Sequence, residues 1–333
     1  MGSLMKKIVT FFCFLVLSTS VSYANLILHE SFDDPNGTVG QLSAGATNTE
    51  DFFDGYNYEQ TRWWTYSGAI GSDPKYIQVV EGSISYPCYQ SEGKGNKAYL
   101  WCTDADDVRS FASQNVMSGK VYLGALIHVE AVKQKADADY FLSLGDHANS
   151  YFLGRLYAKS VKEEGASEWT GFRLGIAKNS ESTNYIAYTE EVYHPNTDML
   201  VVIEYEFVEG EKNDTARLYI NPSKDTKEPT IICKQDTVNG IGTPSGANSK
   251  PDAGIYGIFG VFLREGINIP KVYIDEIKVA TQWEDLWEDC GGEETDVENV
   301  QQPAVSAQKI LRNGQLMIIR NEKTYSATGA EIH

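Results

Sequence analysis

The chain has 333 residues, of which 42% are hydrophobic and 22% charged, and its formal charge is -18 at pH 7. An acidic excess on that scale argues against nucleic acid and against anionic membrane surfaces as partners. It suits a soluble extracellular protein, or one that gathers cations, and the length allows one large domain with an appendage.

Residues 1–24 read as a cleaved secretory leader. Lys6 and Lys7 form a positive start, Ile8 to Leu17 is an almost unbroken apolar run, and Ser22-Tyr23-Ala24 puts small residues where a signal peptidase reads them. The run is too short to span a bilayer comfortably, and no other stretch is long and apolar enough to do so, so no transmembrane segment is expected in the mature chain. Losing the two lysines leaves a charge of about -20. Export places the protein outside the cell or on its outer surface. There Cys88, Cys102, Cys233 and Cys290, the four cysteines left after Cys13 departs, are expected to form disulfides. Of the three pairings, Cys88–Cys102 with Cys233–Cys290 is the most local. The spacings fit no zinc pattern.

From Asn25 onward the pattern is that of short strands separated by Gly, Asn, Asp and Pro. In "MLVVIEYEFV" Val201, Ile203, Tyr205 and Phe207 fall on one face, with Glu204 and Glu206 on the other, as in a half-buried antiparallel strand with a solvated outer face. "TARLYINP" pairs with it as a hairpin, and "GFRLGIAK" turns Phe172, Leu174 and Ile176 inward. "GIYGIFGVFL" is apolar on both faces, as a strand between two layers would be. About a dozen such strands without a fixed repeat predict an all-β, two-sheet antiparallel jelly-roll sandwich over residues 25–287.

An acidic flexible linker is expected at 288–307, since Glu284 to Glu298 holds eight acids and no base. A short helical turn at "WEDLWED" precedes it. Residues 308–333 form a small, mildly basic tail. In "KILRNGQLMIIR" Asn313-Gly314 marks a β-hairpin, and "TYSA" and "AEI" supply further short strands. So small a sheet is marginal alone, which favours a segment read by a partner.

"QKILRNGQLMIIRNEKTYSATGAEI" resembles the C-terminal tails of many secreted Bacteroidetes proteins and is similar to a shortened type IX secretion sorting domain. The resemblance implies export from a Bacteroidetes-type cell and contact with the secretion and surface-attachment machinery. The body resembles the concanavalin-like, laminin-G-like jelly rolls of such proteins, through "LILHESFDDPNG" at its start and "VYIDEIKVAT" at its end. That architecture implies that the first and last strands lie side by side.

Asp275 alternates onto a face with Tyr273, Ile277 and Val279, where an unpaired carboxylate is costly. The strand adjacency that the resemblance implies would bring Glu30, Asp33, Asp34 and the Gly37 carbonyl near it, a hard-oxygen set suited to a structural Ca²⁺. The alternative is a paired or turn-capping Asp275.

Catalysis finds little support. The laminarinase-type Glu-x-Asp-x-x-Glu run is absent, Glu204 and Glu206 lack its middle and third acids, and there is no Gly-x-Ser-x-Gly elbow. Binding is better supported, because sugars are gripped by aromatic faces and planar polar groups. "YNYEQTRWWTYSG" gathers Arg62, Trp63, Trp64 and Tyr66, and adjacent Trp63 and Trp64 must face opposite ways in a strand. Trp101, near Tyr86 and Tyr89, is a second aromatic candidate. The leading expectation is a lectin-like protein that binds a carbohydrate or glycoconjugate without catalysis. The alternatives are a glycoside hydrolase or lyase with non-standard acids and a structural adhesin that binds protein.

Overall fold

A computed structural model describes residues 26–33, 40–42, 63–67, 77–93, 95–101, 105–111, 115–146, 152–179, 185–210, 213–233, 252–253 and 257–288, and the tail strands at 308–312, 315–320, 323–326 and 331–332. Arg62, Gly37, Cys102, Cys290, the leader and the acidic linker lie outside these. The chain divides into two compact units, one ending at Glu288 and the other beginning at Asp289.

The first unit is all-β. Its strands are β1 (Leu26–Glu30), β2 (Gly40–Gln41), β3 (Trp64–Ser67), β4 (Gln78–Glu81), β5 (Asn96–Leu100), β6 (Asp106–Ser110), β7 (Lys120–Ala131) and β8 (Tyr140–Asp146). They continue as β9 (Phe152–Val161), β10 (Gly171–Ala177), β11 (Ala187–Tyr188), β12 (Asp198–Glu206), β13 (Thr215–Ile220), β14 (Ile231–Ile232), β15 (Ile258–Arg264) and β16 (Lys271–Ala280). A nine-stranded sheet runs β14-β13-β12-β7-β16-β5-β4-β2 with β1 on β16, and a seven-stranded sheet runs β11-β10-β9-β8-β15-β6-β3. All the pairings are antiparallel, and the first strand does pair with the last, Glu30 opposite Ile277.

Between the sheets lies one large core. Val201, Ile203 and Tyr205 of β12 meet Leu156, Phe172, Leu174 and Ile176 from the facing sheet in it. Each side chain of this kind contributes about 1.5–3 kcal/mol on burial. β15 serves two layers, with Ile258, Val261 and Leu263 in this core and Phe259 and Phe262 on the other side of the sheet.

The outer face of the nine-stranded sheet departs from the alternation-based expectation. It is covered by residues 84–89 and by a 3-10 turn at Trp283–Leu286, which build a second apolar cluster with Tyr122, Leu126, Val202 and Tyr219. Glu204 is therefore 1% exposed rather than solvated. It accepts hydrogen bonds from Arg217 at 2.5 Å and from the Tyr219 hydroxyl at 2.8 Å, and Lys120 lies 3.0 Å away. Glu206 shares the same Arg217 guanidinium.

β16 carries a bulge. Asp275 pairs with Leu126 and Lys278 with Gly124, so three steps on β16 match two on β7, and Glu276 takes a positive φ of 47°. This extra residue changes the face assignment at the end of the strand. Asp275 points outward with Tyr273, whereas Ile277 and Val279 return to the inner core.

The tail unit is a four-stranded antiparallel meander of β17 (Gln308–Arg312), β18 (Gln315–Arg320), β19 (Lys323–Ser326) and β20 (Glu331–Ile332). Arg312 pairs with Gln315, leaving a two-residue connection at the position of the Asn-Gly pair. Among the described residues no helix is long and apolar enough to cross a membrane.

Candidate functional site

The outer face of the seven-stranded sheet is built from the outward positions of alternating strands. On β9, Leu156 and Ala158 enter the core, which leaves Tyr157 and Lys159 outward; on β10, Leu174 and Ile176 enter it, which leaves Arg173 outward. Register then lines these positions up across strands. Tyr140, Tyr157, Gly175 and Tyr188 form one row over β8, β9, β10 and β11. Gly175 keeps the row flat, since a Cβ there would stand 2.6 Å from the Tyr188 ring.

Cations flank this aromatic row. On one side Arg155 lies 4.7 Å from the centre of the Tyr140 ring, and Arg264 lies 4.6 Å from the same ring. On the other side Lys159 and Arg173 sit directly opposite each other across the β9–β10 ladder. Like charges at that position destabilise a sheet. Lys159 Nζ is 5.4 Å from the centre of the Tyr188 ring.

Beside the Lys159–Arg173 pair opens a pocket of about 360 Å³, lined by Ala136, Trp169, Tyr188, Arg173 and the run from Lys159 to Lys162. That is within the usual size of small-ligand sites, roughly 300–1,000 Å³. Its Trp169 wall is held by a reciprocal clamp: the Trp169 N–H donates to Gln134 Oε1 at 3.1 Å, and Gln134 Nε2 donates to the Trp169 carbonyl at 3.1 Å. The loop behind it is tied where Thr170 Oγ1 donates to Glu163 at 2.7 Å. Burial, with Asp139 adding to it, raises the Tyr188 hydroxyl to about 12, so it stays protonated at neutral pH. A neutral hydroxyl, an indole face and fixed cations can stack on a sugar ring and hydrogen-bond its substituents.

The residues expected to bind ligand are dispersed. Trp63 faces inward and is 3% exposed; its indole N–H donates to Glu30 at 2.8 Å, and its ring stacks on Phe32. It is a core residue, as period-two alternation demands of one member of the Trp63-Trp64 pair. Trp64 is the outward member and packs beside Phe259 and Phe262 on the same outer face as the aromatic row. Tyr66 lies on the same strand. Trp101 is 51% exposed, with Lys271 Nζ 4.7 Å from its ring centre, and belongs to neither group.

Of the expected calcium ligands, Asp34 and Gly37 lie outside the described residues, and Asp275 and Glu30 do not come together. Asp275 faces the outer cluster and accepts from Ser83 Oγ and the Ile84 N–H, both at 2.7 Å, and from the Glu276 N–H at 2.8 Å. Glu30 faces the inner core and accepts from the Phe32 N–H, the Trp63 indole and Arg109. The two carboxylates thus lie on opposite faces of one sheet, each with its oxygens already engaged by N–H or O–H donors. Asp33 is exposed. Among the described residues no group of three or more His, Cys, Asp or Glu side chains could hold a metal ion.

The cysteines also differ from expectation. Cys233 is a buried thiol outside any disulfide, near the Ala216 N–H and the Thr215 hydroxyl, so the Cys233–Cys290 pairing does not form. Its strand end sits in the inner core, where the thiol packs as an apolar group. Cys88 is disulfide-bonded, and its partner lies outside the described residues.

The key residues missed by sequence reading were Tyr140, Lys159, Arg173 and Tyr188. The available signal was the outward half of each alternating strand, "RLYAK" and "FRLG", whose inward half defined the core.

The fold defines a class, an antiparallel two-sheet β-sandwich; Tyr140 and Tyr157 of the row are buried, and Tyr188 is the member that reaches the pocket. No family model and no curated protein matches the chain. Among solved structures it is similar to the cellulose-induced protein Cip1, with 16% identity over 70% of this chain and 96% of that one, at a TM-score of 0.37. It is also similar to the globular domain of T. cruzi calreticulin, with 8% identity over 77% and 88% of the two chains and a TM-score of 0.38. A third similar structure is the metal-free carbohydrate recognition domain of Emp46p, at 8% identity over 57% and 84%, with a TM-score of 0.30. These likenesses concern the β-sandwich alone.

Proposed function

We propose that this chain is a secreted or surface-displayed glycan-binding protein without catalytic activity. The observation that carries the reading is the pocket that Trp169 and Tyr188 line together with Lys159 and Arg173. Ring faces and planar or cationic donors at low conformational cost are what a saccharide requires of its site. Among the described residues no carboxylate lines the pocket, so nothing there resembles the paired acids of a glycosidase. The acids with raised affinity for protons, Asp107, Asp214 and Asp275, are buried and none of them lines the pocket. An adhesin would need a flat apolar patch. Among the described residues the exposed large apolar side chains are Trp101, Met117 and Ile267 only.

Export and surface attachment belong to the same proposal. The leader-like start directs export, and the basic meander at 308–333, set behind an acidic segment, is the part read by sorting or attachment machinery. If a chain cut after Pro303 reaches the surface of its own cell in normal amounts, the tail has no such role.

A glycan array of the purified protein tests the binding function. Saturable binding to one glycan class, with no reducing sugar released from it, is expected. A blank array from folded protein, or steady release of reducing ends, would contradict the proposal.

A further inference from the structure

Resting on the glycan-binding reading, we infer that the pocket selects saccharides that carry an acidic group, a carboxylate or a sulfate on the sugar. The chain as a whole carries -18, yet three cations, Lys159, Lys162 and Arg173, converge on this one pocket. Among the described residues none of the three is ion-paired, in contrast to Lys120, Lys178 and Arg217, which all meet carboxylates. Arg173 lines the pocket, and its Nε is buried with no hydrogen-bond partner, so the guanidinium is not fully satisfied by the protein. Lys159 and Arg173 are opposed across the ladder, an arrangement that costs stability until an anion sits between them.

Two acids near the pocket, Glu163 and Asp139, are engaged with other donors. Glu163 accepts from the Thr170 hydroxyl, and Asp139 accepts from the Asn268 N–H at 2.9 Å. The planar fork of Arg173 suits a carboxylate or sulfate, Lys159 and Lys162 add point charges, and the faces of Trp169 and Tyr188 take the ring. A strongly acidic protein repels acidic polymers at long range, so this pocket confines recognition to a short contact and makes it salt-dependent.

The test is titration calorimetry with oligomers of galacturonate, guluronate and glucuronate, each as the free acid and as its methyl ester, and with dextran sulfate beside neutral dextran. These pairs keep the backbone and remove the charge, and the two sources of anion are read separately. At least one acidic member is expected to bind tenfold or more tighter than its neutral counterpart, with affinity falling as salt rises. Arg173→Gln should reduce that binding by about tenfold or more, the order expected for loss of a charge-assisted contact. Lys162→Gln, at an exposed position that cannot affect folding much, should weaken it in the same direction. Equal or tighter binding of the neutral partners would overturn the inference while leaving glycan binding intact. Failure of every acidic oligomer, when the array has found a neutral glycan, would overturn it as well. Failure of all ligands on array and in calorimetry alike would remove both readings.

Discussion

Asp107 sets burial against charge. It lies on the inner face of β6, opposite Leu263 and Thr65, with no exposed surface. Burial, with Asp106 adding to it, raises its carboxyl to about 7. The unfolded value is near 3.9. Between these values the folded state holds a proton that the unfolded state has lost. The contribution of this group is therefore fully present below about pH 4, is lost as pH rises to 7, and is flat above. Asp107→Asn should remove that slope. Melting scans are expected to show the variant gaining several degrees on the parent from pH 5 to pH 8, and a constant difference would show that Asp107 is ionised throughout. Asp275 behaves differently on substitution because its oxygens accept three hydrogen bonds. Asp275→Asn turns an acceptor into a donor facing N–H and O–H groups, and should lower stability by about 1–3 kcal/mol in denaturant titration, with or without added Ca²⁺. An unchanged midpoint would contradict the bonding described.

At the scale of elements, the segment around Cys88 shows what a glycine and a bulge accomplish together. Gly124 of β7 lets the Tyr89 ring lie on the sheet, since a Cβ there would stand 2.5 Å from Tyr89 Oη. That hydroxyl donates to the Glu276 carbonyl, at the bulge, at 2.9 Å. Gly124→Ala should displace Tyr89 and reduce stability by about 1–3 kcal/mol, measured by urea unfolding. The same segment indicates the partner of Cys88. The Glu288 N–H donates to the Cys88 carbonyl at 2.8 Å, two residues before Cys290. Trp101, next to Cys102, is bonded instead to Glu265 and lies beside Lys271, at the opposite end of β16. Peptide mapping without reduction is expected to link Cys88 to Cys290, and a Cys88–Cys102 peptide would contradict this.

These elements also show how far the sequence could be read. Period two in β12, β13 and β10 identified the inner core because one face of each strand is uniformly apolar. The pairing of β1 with β16 followed from the resemblance to concanavalin-like jelly rolls. What escaped was non-local. Nothing in "IEYEF" says that Arg217, Tyr219 and a distant 3-10 turn will cover Glu204. The bulge at Glu276, which moves Asp275 away from Glu30, leaves no mark in the alternation. Arg173 and Lys159 are fourteen positions apart and become neighbours only through the β9–β10 register.

For the whole molecule, the distribution of charge is the organising fact. An acidic body carries three cations without ion-pair partners among the described residues around one aromatic pocket, at the end of a tyrosine row whose other members, Tyr140 and Tyr157, are buried. The measurement that tests this most directly is a glycan array of the parent protein run beside Trp169→Ala. The pocket account predicts saturable binding by the parent and at least a tenfold loss in the variant at unchanged melting temperature, since a stacked aromatic carries much of such a contact. Equal binding by both proteins would place recognition elsewhere on the molecule and contradict the account.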